Sequence, residues 1–336
     1  MREMIDIKNI KLVAAPMAGY SDHIYRRFAH RFGADIVFTE MISAEGFARD
    51  NAKTINMMLR DIDAAPTAIQ FFTHSPEAML RAAAKVSNFG FRMLDINMGC
   101  PVAKVMKRNA GAALLANPSL AREVVHAAME SRLPVSVKMR SGMKDEREWQ
   151  SILAMLLDFE SIGICAATIH PRAASQQFRG KANRALIAEA VKTLKIPVWG
   201  SGDIFLIDDI REMMLETNAA GAVIARGAVG NFELFSQARA YLRDESIPEF
   251  PVAQRAKTIC DFIEEEVLFR GERSAVKWSR KFLVALMRDF PGARDLRAKL
   301  PLINTIEDVR NMLSAMCAPY CRNAQSQSAS EIGIAG

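Results

Sequence analysis

A cysteine and several polar groups follow an apolar run near residue 95. The run 91–94 leads into the sequence Asp95-Ile96-Asn97-Met98-Gly99-Cys100-Pro101. This pattern predicts a strand that ends in a loop carrying a thiol, and the C-terminal ends of strands are where α/β barrels place their chemistry. The alternative is that Cys100 is a small buried hydrophobe, but a Gly-Cys-Pro turn is a poor place to bury a side chain.

Charged groups stand at the ends of two other apolar runs, at Lys138 and His170. Charged side chains are rarely buried without partners, so each of these needs a ligand or a counter-charge. Any one of the polar groups at the strand ends could instead make a structural contact at the rim of the barrel. That alternative is less plausible for all of these groups together. Polar or glycine-rich groups also end the runs at Ala15–Gly19, Gln70, Arg140, Arg172, Gly200–Asp203 and Ala225–Gly227.

The last two of these segments are glycine-rich loops that follow predicted strands 7 and 8. Barrels frequently bind phosphate there, through backbone N–H groups and a helix N-terminus. Arg226 would add a charge-assisted contact. Each motif is short and weak alone, and it is their order along the chain that indicates a phosphate site.

Eight short β-type runs alternate with longer helix-like runs. This alternation over roughly 240 residues predicts a TIM (β/α)8 barrel, an α/β fold. A doubly wound open sheet is the rival, but no G-x-G-x-x-G sequence follows the first strand. The predicted strands are Leu12–Ala15, Ile36–Thr39, Ala68–Phe71, Met93–Ile96, Val135–Lys138, Ala167–His170, Val198–Gly200 and Gly221–Ala225.

The pattern changes after residue 243. Residues 244–251 contain two prolines and no periodicity, which indicates a linker. The segments 253–269, 272–289 and 305–316 read as helices. We therefore predict a barrel domain over 1–243, a small all-helical domain over 252–318 and, from its Ser, Gln, Ala and Gly content, a disordered tail over 323–336.

Composition restricts the class of protein. The chain of 336 residues contains no apolar run long enough for a transmembrane helix, and its first residues lack a secretory signal. Five scattered cysteines form no disulfide framework, which is typical of the cytoplasm, and no histidine or cysteine spacing indicates a metal site. No obligate protein partner can be inferred.

The excess positive charge is concentrated in one segment. The formal net charge is +6, and residues 270–300 hold nine Lys or Arg against three Asp or Glu. The remainder of the chain is therefore electrically balanced. Such a segment favours a polyanionic partner, nucleic acid first, although a solvated helix face is the commoner meaning of a charge run.

These segments together resemble the bacterial tRNA-dihydrouridine synthases, and the sequence Asp-Ile-Asn-Met-Gly-Cys-Pro is most similar to their B-type branch. The likeness is strong over residues 10–235 and weaker in the helical region. One departure is Ser201, where the family usually has asparagine. The similar segments are Ala15–Asp22, Asp95–Pro101 with Val105 and Ala110-Gly111, Thr168–Arg172, Ala225–Ala228 and Val276–Lys281.

The resemblance implies a flavoenzyme that uses FMN and NADPH to reduce the uracil C5=C6 bond of D-loop uridines in tRNA. Cys100 would be the acid that protonates the ring, and Asn97 and Arg172 would orient the uracil. Lys277 and Arg280, on one face of a basic helix, would contact RNA phosphates. The implied FMN-binding residues are Pro16, Met17, Ala18, Gln70, Lys138, His170, Ser201, Gly202, Asp203, Ala225 and Arg226.

Two other functions remain open on the sequence. An FMN barrel acting on a small molecule, similar to dihydroorotate dehydrogenase, would explain the flavin loops but not the basic segment. A non-catalytic tRNA-binding protein would explain the basic segment but leaves Cys100, Lys138 and His170 without a task. Bound flavin would exclude the non-catalytic protein. Oxidation of the reduced flavin by tRNA would exclude the enzyme that acts on a small molecule.

Overall fold

Eight parallel strands close into a barrel in which each strand pairs with the next along the chain and β8 pairs with β1. The structure, a computed structural model, describes residues 5–58, 66–288, 290 and 292–318, without the side chain of Lys53. The predicted TIM barrel is confirmed, with all eight strands in their expected places. They are β1 Leu12–Ala14, β2 Ile36–Ser43, β3 Thr67–Phe72, β4 Met93–Met98, β5 Val135–Arg140, β6 Ala166–His170, β7 Val198–Ser201 and β8 Gly221–Ile224.

The strands are apolar because both of their faces are covered, as in most parallel sheets. Side chains alternate between the barrel interior and the surrounding helices, so every second residue of a strand faces inward. The lower interior is packed with apolar side chains, among them Val13, Phe38, Met93 and the fully buried Trp199. These apolar side chains fill one end of the barrel interior, and the polar side chains lie at the opposite end.

Helices follow the strands, and side-chain caps fix where several of them begin. Ser75 accepts a hydrogen bond from the N–H of Ala78, and Asn117 accepts one from Leu120; each cap is followed by proline at the first helical position. The helices of this part of the chain are α1 His23–Arg31, α2 Ala44–Ala48, α3 Ala52–Met57, α4 Pro76–Val86, α5 Ala103–Met106, α6 Pro118–Ala128, α7 Trp149–Ile162, α8 Arg184–Thr193 and α9 Ile207–Thr217.

The chain divides between Gly227 and Ala228 into two compact units. In its described part the second unit contains helices and no strand, as predicted: α10 Glu233–Leu242, α11 Val252–Arg270, α12 Glu272–Leu286, α13 Ala293–Lys299 and a helix over 306–318. Residues 245–251 have no regular structure, in agreement with the predicted linker. The predicted tail, 323–336, lies outside the described residues.

The division falls earlier than the predicted domain end at residue 243. The segment that precedes α10 packs among the helices of the second unit, because the ring of Phe232 contacts that of Phe262 at 5.3 Å. A Cβ at Gly230 would lie 2.7 Å from backbone atoms of Phe282 and Leu286, which shows how closely this segment approaches α12. Helix α10 therefore belongs with the helical unit and not with the barrel.

Candidate active site

The interior of the barrel changes from apolar to polar toward the C-terminal ends of the strands. Stepping two residues along β4 leads from Met93 to Asp95 and Asn97, and in β5 from Ser136 to Lys138. Six of the predicted site residues occupy such inward positions at the same end: Gln70, Asn97, Lys138, His170, Ser201 and Ala225. The fold therefore gathers these side chains at one mouth.

A hydrogen-bond network connects the polar residues of β3 and β4. Asn97 Nδ2 donates to Gln70 Oε1 at 2.8 Å, and Gln70 Nε2 donates to Asp95 Oδ2 at 2.7 Å. Asn97 Oδ1 in turn accepts from the backbone N–H groups of Gly99 and Cys100, at 3.2 and 3.0 Å. Asn97 thus holds the backbone from which the Cys100 side chain extends.

The Cys100 thiol stands half-buried just beyond the end of β4. Burial raises its pKa above the ordinary value, against a smaller opposing effect of Arg140 and of a backbone hydrogen bond to Val102. The group is therefore a thiol, not a thiolate, at neutral pH. A protonated thiol is suited to donating a proton and is poorly suited to nucleophilic attack.

Lys138 lies on β5 beside Asn97 of β4, its partner in the strand register. Its ammonium makes no hydrogen bond or ion pair with any residue that the structure describes. Burial lowers its pKa to about 8 and the Arg140 charge adds to this, while the Asp95 carboxylate acts in the opposite direction. A half-buried cation with three unused donors suits an anionic group in the mouth.

His170, at the end of β6, is a neutral imidazole. Burial lowers its pKa to about 2, helped by the positive charges of Lys138, Arg140, Arg172 and Arg226. Its Nε2 lies 3.3 Å from Nη1 of Arg172, which can only donate, so the ring hydrogen sits on Nδ1. His170 is therefore equipped to hydrogen-bond a ligand without adding charge.

The depressed pKa of His170 makes a prediction for stability. Below about pH 6.5 the unfolded chain binds a proton at this imidazole that the folded chain does not. The free energy of unfolding therefore decreases as the pH is lowered. The difference in unfolding free energy between wild type and His170→Asn should shrink by about 2.5 kcal/mol from pH 7.5 to 4.5. Urea unfolding across this range measures it, and a constant difference would contradict the prediction.

Arg172 connects the loops that follow β6 and β7. Its side chain is 2% exposed, and the guanidinium donates to the carbonyl of Gly180 at 2.6 Å and to Asp203 Oδ2 at 2.5 Å. Burial opposes ionisation of Asp203, but hydrogen bonds from Arg172 and the N–H of Ala182 leave its pKa lowered. A contact of Arg172 with uracil, as predicted from the sequence, would require some of these bonds to be given up.

The loops after β7 and β8 form a cradle of backbone N–H groups. The amides of Gly202, Asp203 and Ile204 donate to no acceptor within the described chain, and φ is +115° at Gly202 and +53° at Asp203. A Cβ at Gly227 would collide with the carbonyl oxygen of Ile204, so the two loops touch at this glycine. Consecutive unpaired amides in such a turn form an anion-binding nest.

Arg226 brings positive charge to the edge of this cradle. Its guanidinium lies 4.2 Å from the ring centre of Phe178 and 3.9 Å from Asp203. Its side chain is 42% exposed, so it can reach a bound anion. This end of β7 and β8 therefore presents backbone donors and a positive charge that suit an anionic group.

The loop after β1 offers backbone to the same mouth. Pro16 and Met17 are half-buried and Ala18 is exposed. The N–H of Met17 donates to Oγ of Ser21 at 2.9 Å, and Gly19 takes a φ of +77°, which lets the chain turn back. These three predicted residues therefore form a fixed surface on the rim of the mouth.

The two predicted RNA-contacting residues differ in their surroundings. Lys277 is exposed on α12. Arg280 is half-buried, and its Nη2 donates to the carbonyls of Pro301 and Ile303, at 3.2 and 2.6 Å. Lys277 is therefore available to a partner, whereas Arg280 holds the turn that follows α13.

Two residues of the mouth were not among the predicted site residues. Asp95 is fully buried in the Gln70 network, and its position two residues before Asn97 was the signal that could have identified it. Phe178 is 55% exposed beside Arg226 and His170, and nothing in its neighbouring sequence points to it. Phe178 becomes visible only when the loop after β6 is placed beside His170 and Arg226.

A closed parallel barrel carries at its C-terminal mouth a cradle of backbone N–H groups, a protonated thiol and a lysine that has no partner among the described residues. These features define a cofactor-binding TIM-barrel enzyme. The model of the family described as "Dihydrouridine synthase (Dus)" matches residues 12–323. The chain therefore belongs to the dihydrouridine synthase family, which confirms the resemblance seen in the sequence. Membership implies a flavin-type cofactor.

Curated relatives agree with this assignment. A probable tRNA-dihydrouridine synthase of Treponema pallidum is 35% identical over 292 residues, which is 83% of this chain and 84% of the relative. The tRNA-dihydrouridine synthase B of Pseudomonas aeruginosa is 30% identical over 311 residues, covering 92% of this chain and 91% of that protein.

Solved structures show the same fold at low identity. Histamine dehydrogenase from Rhizobium sp. 4-9 matches with a TM-score of 0.53 and 11% identity, over 83% of this chain and 50% of that one. A 2-naphthoyl-CoA reductase matches with a TM-score of 0.53 and 10% identity, over 72% of this chain and 52% of that one. This chain thus spans about half the length of either structure, and the likeness is one of fold.

The described residues also bear on membrane-spanning and metal-binding classes of protein. None of their helices is long and apolar enough to cross a membrane. No group of three or more His, Cys, Asp or Glu among them is placed to hold a metal ion.

Proposed function

We propose that this protein is a tRNA-dihydrouridine synthase that reduces the C5=C6 bond of uracil in the D loop of tRNA. The observation that carries the proposal is the Cys100 thiol, kept protonated by burial at the mouth of the barrel. It stands on the loop that Asn97 holds, and Lys138 lies on the next strand. These groups provide an acid and a cation at one opening.

The reaction adds a hydride at C6 and a proton at C5 of the ring. When bound, reduced flavin supplies the hydride. Cys100 gives its Sγ proton to C5, and the resulting thiolate regains a proton from solvent, so atoms and charge balance. Asn97, which holds the Cys100 backbone, and the neutral His170 provide hydrogen-bonding groups for the ligands in the mouth.

We propose FMN as the cofactor, which the residues at the mouth support, and NADPH as its reductant by family resemblance. The cradle of Gly202, Asp203 and Ile204 suits the single phosphate of FMN, and the Lys138 ammonium suits the N1–C2 edge of a reduced flavin. Gln70, the rim formed by Pro16 to Ala18, and Ser201, Ala225 and Arg226 complete the set. Denaturing the purified protein should release FMN, and release of FAD or a covalently bound flavin would refute this assignment.

Exposed basic residues support RNA as the substrate. The loop that carries Cys100 continues into Lys104, Lys107 and Arg108, which are exposed and form no ion pair with any described residue. The helical unit adds Arg273 and Lys277, both exposed. A uridine would leave its stack to enter the mouth, as bases do in enzymes that modify them within folded nucleic acid.

Lys277 and Arg280 should respond differently to substitution. Lys277→Ala should weaken tRNA binding and lower the slope of log affinity against log salt by about one unit, because one phosphate contact is lost. Arg280→Ala should instead lower the melting temperature of the helical unit, because the carbonyls of Pro301 and Ile303 lose their donor. Fluorescence anisotropy at several salt concentrations and thermal melts measure the two effects.

The result that would contradict this division is an unchanged affinity and salt slope in Lys277→Ala. Lys192 offers a matched control, because it is an exposed lysine in the last turn of α8, which leads into β7 at the end of the barrel opposite the mouth. Lys192→Ala should leave both the salt slope and the affinity unchanged.

One assay decides between this proposal and a flavin barrel that acts on a small molecule. The flavin is reduced with NADPH without oxygen and then mixed with unmodified tRNA, and its absorbance near 450 nm is followed. Return of the absorbance, with dihydrouridine formed in the tRNA, supports the proposal. No reoxidation by tRNA would refute it. A reducing compartment such as the cytoplasm, where tRNA is found, is the proposed location.

A further inference from the structure

Asp95 is a fully buried carboxyl in the barrel that the proposed chemistry does not use. It lies on β4 between Gln70 of β3 and Ser136 of β5, its partners in the strand register. Its Oδ1 accepts from Ser136 Oγ at 2.6 Å and its Oδ2 from Gln70 Nε2 at 2.7 Å. Both oxygens are thus satisfied within the barrel.

A directional chain of hydrogen bonds runs from the Cys100 backbone to this carboxyl. The Cys100 N–H donates to Asn97 Oδ1, Asn97 Nδ2 donates to Gln70 Oε1, and Gln70 Nε2 donates to Asp95 Oδ2. Every donor therefore points toward Asp95. Each amide can make its two bonds only in one orientation, and the acceptor at the end of the chain selects that orientation.

We propose that Asp95 is the positioning residue of this active site, which fixes the amide orientations of Gln70 and Asn97 and through them holds the Cys100 loop. The inference deepens the proposed function and rests on it for the role of Cys100 as the acid. Without the acceptor at Asp95, the Gln70 amide can flip and present its Nε2 donor to Asn97, whose own amide must then flip to accept it. Asn97 then no longer offers a fixed acceptor to the N–H groups of Gly99 and Cys100.

The chain keeps its direction in either protonation state of Asp95. Burial raises the pKa of this carboxyl to about 7, while hydrogen bonds from Ser136 and Gln70 and the charge of Lys138 lower it. If it is protonated, the hydroxyl proton is donated to Ser136 Oγ and Oδ2 still accepts from Gln70. An asparagine can do the same, with its amide nitrogen toward Ser136, whereas leucine cannot.

This difference between Asp95→Asn and Asp95→Leu is the basis of the test. Both variants remove the charge, but only the first keeps an acceptor for Gln70. Alkylation of Cys100 by iodoacetamide at pH 7.5, measured by peptide mass mapping on flavin-free protein, should be about tenfold faster in Asp95→Leu, the effect expected for losing one hydrogen bond. The rate in Asp95→Asn should remain within twofold of wild type.

Two further measurements separate positioning from folding. Cys165 precedes β6 at the opposite end of the barrel, where it packs against the core and burial raises its pKa to about 12. We therefore expect slow alkylation of Cys165 as long as the barrel is folded. Ser136→Ala removes the bond to Oδ1 alone and should leave the Cys100 rate unchanged. If Asp95→Leu does not fold, Gln70→Met breaks the chain one link nearer to Cys100, and the same tenfold rise is expected.

Equal Cys100 rates in wild type and Asp95→Leu, with Cys165 still protected, would overturn the proposal. A tenfold rise in Asp95→Asn would overturn it as well, because the charge and not the acceptor would then be decisive. In the full reaction, Asp95→Leu should lower kcat about tenfold with little change in the KM for tRNA. The alkylation result needs neither flavin nor tRNA, so it stands or falls separately from the proposed function.

Discussion

Cys100→Ala should abolish uridine reduction and leave flavin reduction nearly intact. The thiol supplies the proton for C5, and loss of a general acid typically costs a hundredfold or more. Reduction by NADPH does not use this proton, so its rate should stay within about twofold. Stopped-flow absorbance for the flavin and mass spectrometry of the tRNA measure the two half-reactions.

Cys165→Ala is the matched control, since Cys165 is also a half-buried barrel cysteine but lies at the N-terminal end of β6. It should leave both half-reactions unchanged. An equal loss in the two half-reactions of Cys100→Ala would mean that Cys100 serves the structure of the mouth and is not the acid.

Raising the pH in wild type should not slow the proton transfer until the thiol titrates, because burial raises its pKa.

The barrel and much of its mouth could be predicted from the sequence because both follow from local patterns. Apolar runs of strand length alternate with helix patterns, and a residue that ends such a run must lie at the mouth. Gln70, Asn97 and Lys138 were predicted at strand ends, and in the structure they lie toward the C-terminal ends of β3, β4 and β5. The predicted strand 2 ended at Thr39, whereas β2 continues to Ser43, because the polar pair Thr39-Glu40 interrupts the apolar run where the register with β3 shifts.

Tertiary partners could not be predicted in the same way. Arg172 was expected to orient uracil from the family resemblance, and Arg280 to contact RNA from its place on a basic helix face. In the structure Arg172 donates to the carbonyl of Gly180, and Arg280 donates to the carbonyl of Ile303. Asp95 lay within the motif, but its role depends on Gln70, which is on another strand. The division at Gly227 also depends on contacts of the following segment with α11 and α12, which no local pattern reveals.

Gly227→Ala should cause the protein to lose its flavin. The added Cβ would collide with the carbonyl oxygen of Ile204 and lie 2.9 Å from Cα of Phe205, so backbone of the loop after β7 must move. That movement displaces the amides of Gly202, Asp203 and Ile204 from a bound phosphate. Loss of about two charge-assisted bonds, together worth about 3 kcal/mol, corresponds to a dissociation constant for FMN that is about a hundredfold higher.

Gly221→Ala provides a control with a similar collision. Gly221 is the first residue of β8, whereas Gly227 follows the last residue of that strand. Its Cβ would lie 2.6 Å from the carbonyl oxygen of Lys11, far along β8 from the cradle. Both variants should melt at lower temperature than wild type, but only Gly227→Ala should lose affinity for FMN in a fluorescence titration of the flavin-free protein. Equal FMN affinities in the two variants would show that this pair of loops does not bind the phosphate, since the cradle would then have been disturbed without consequence.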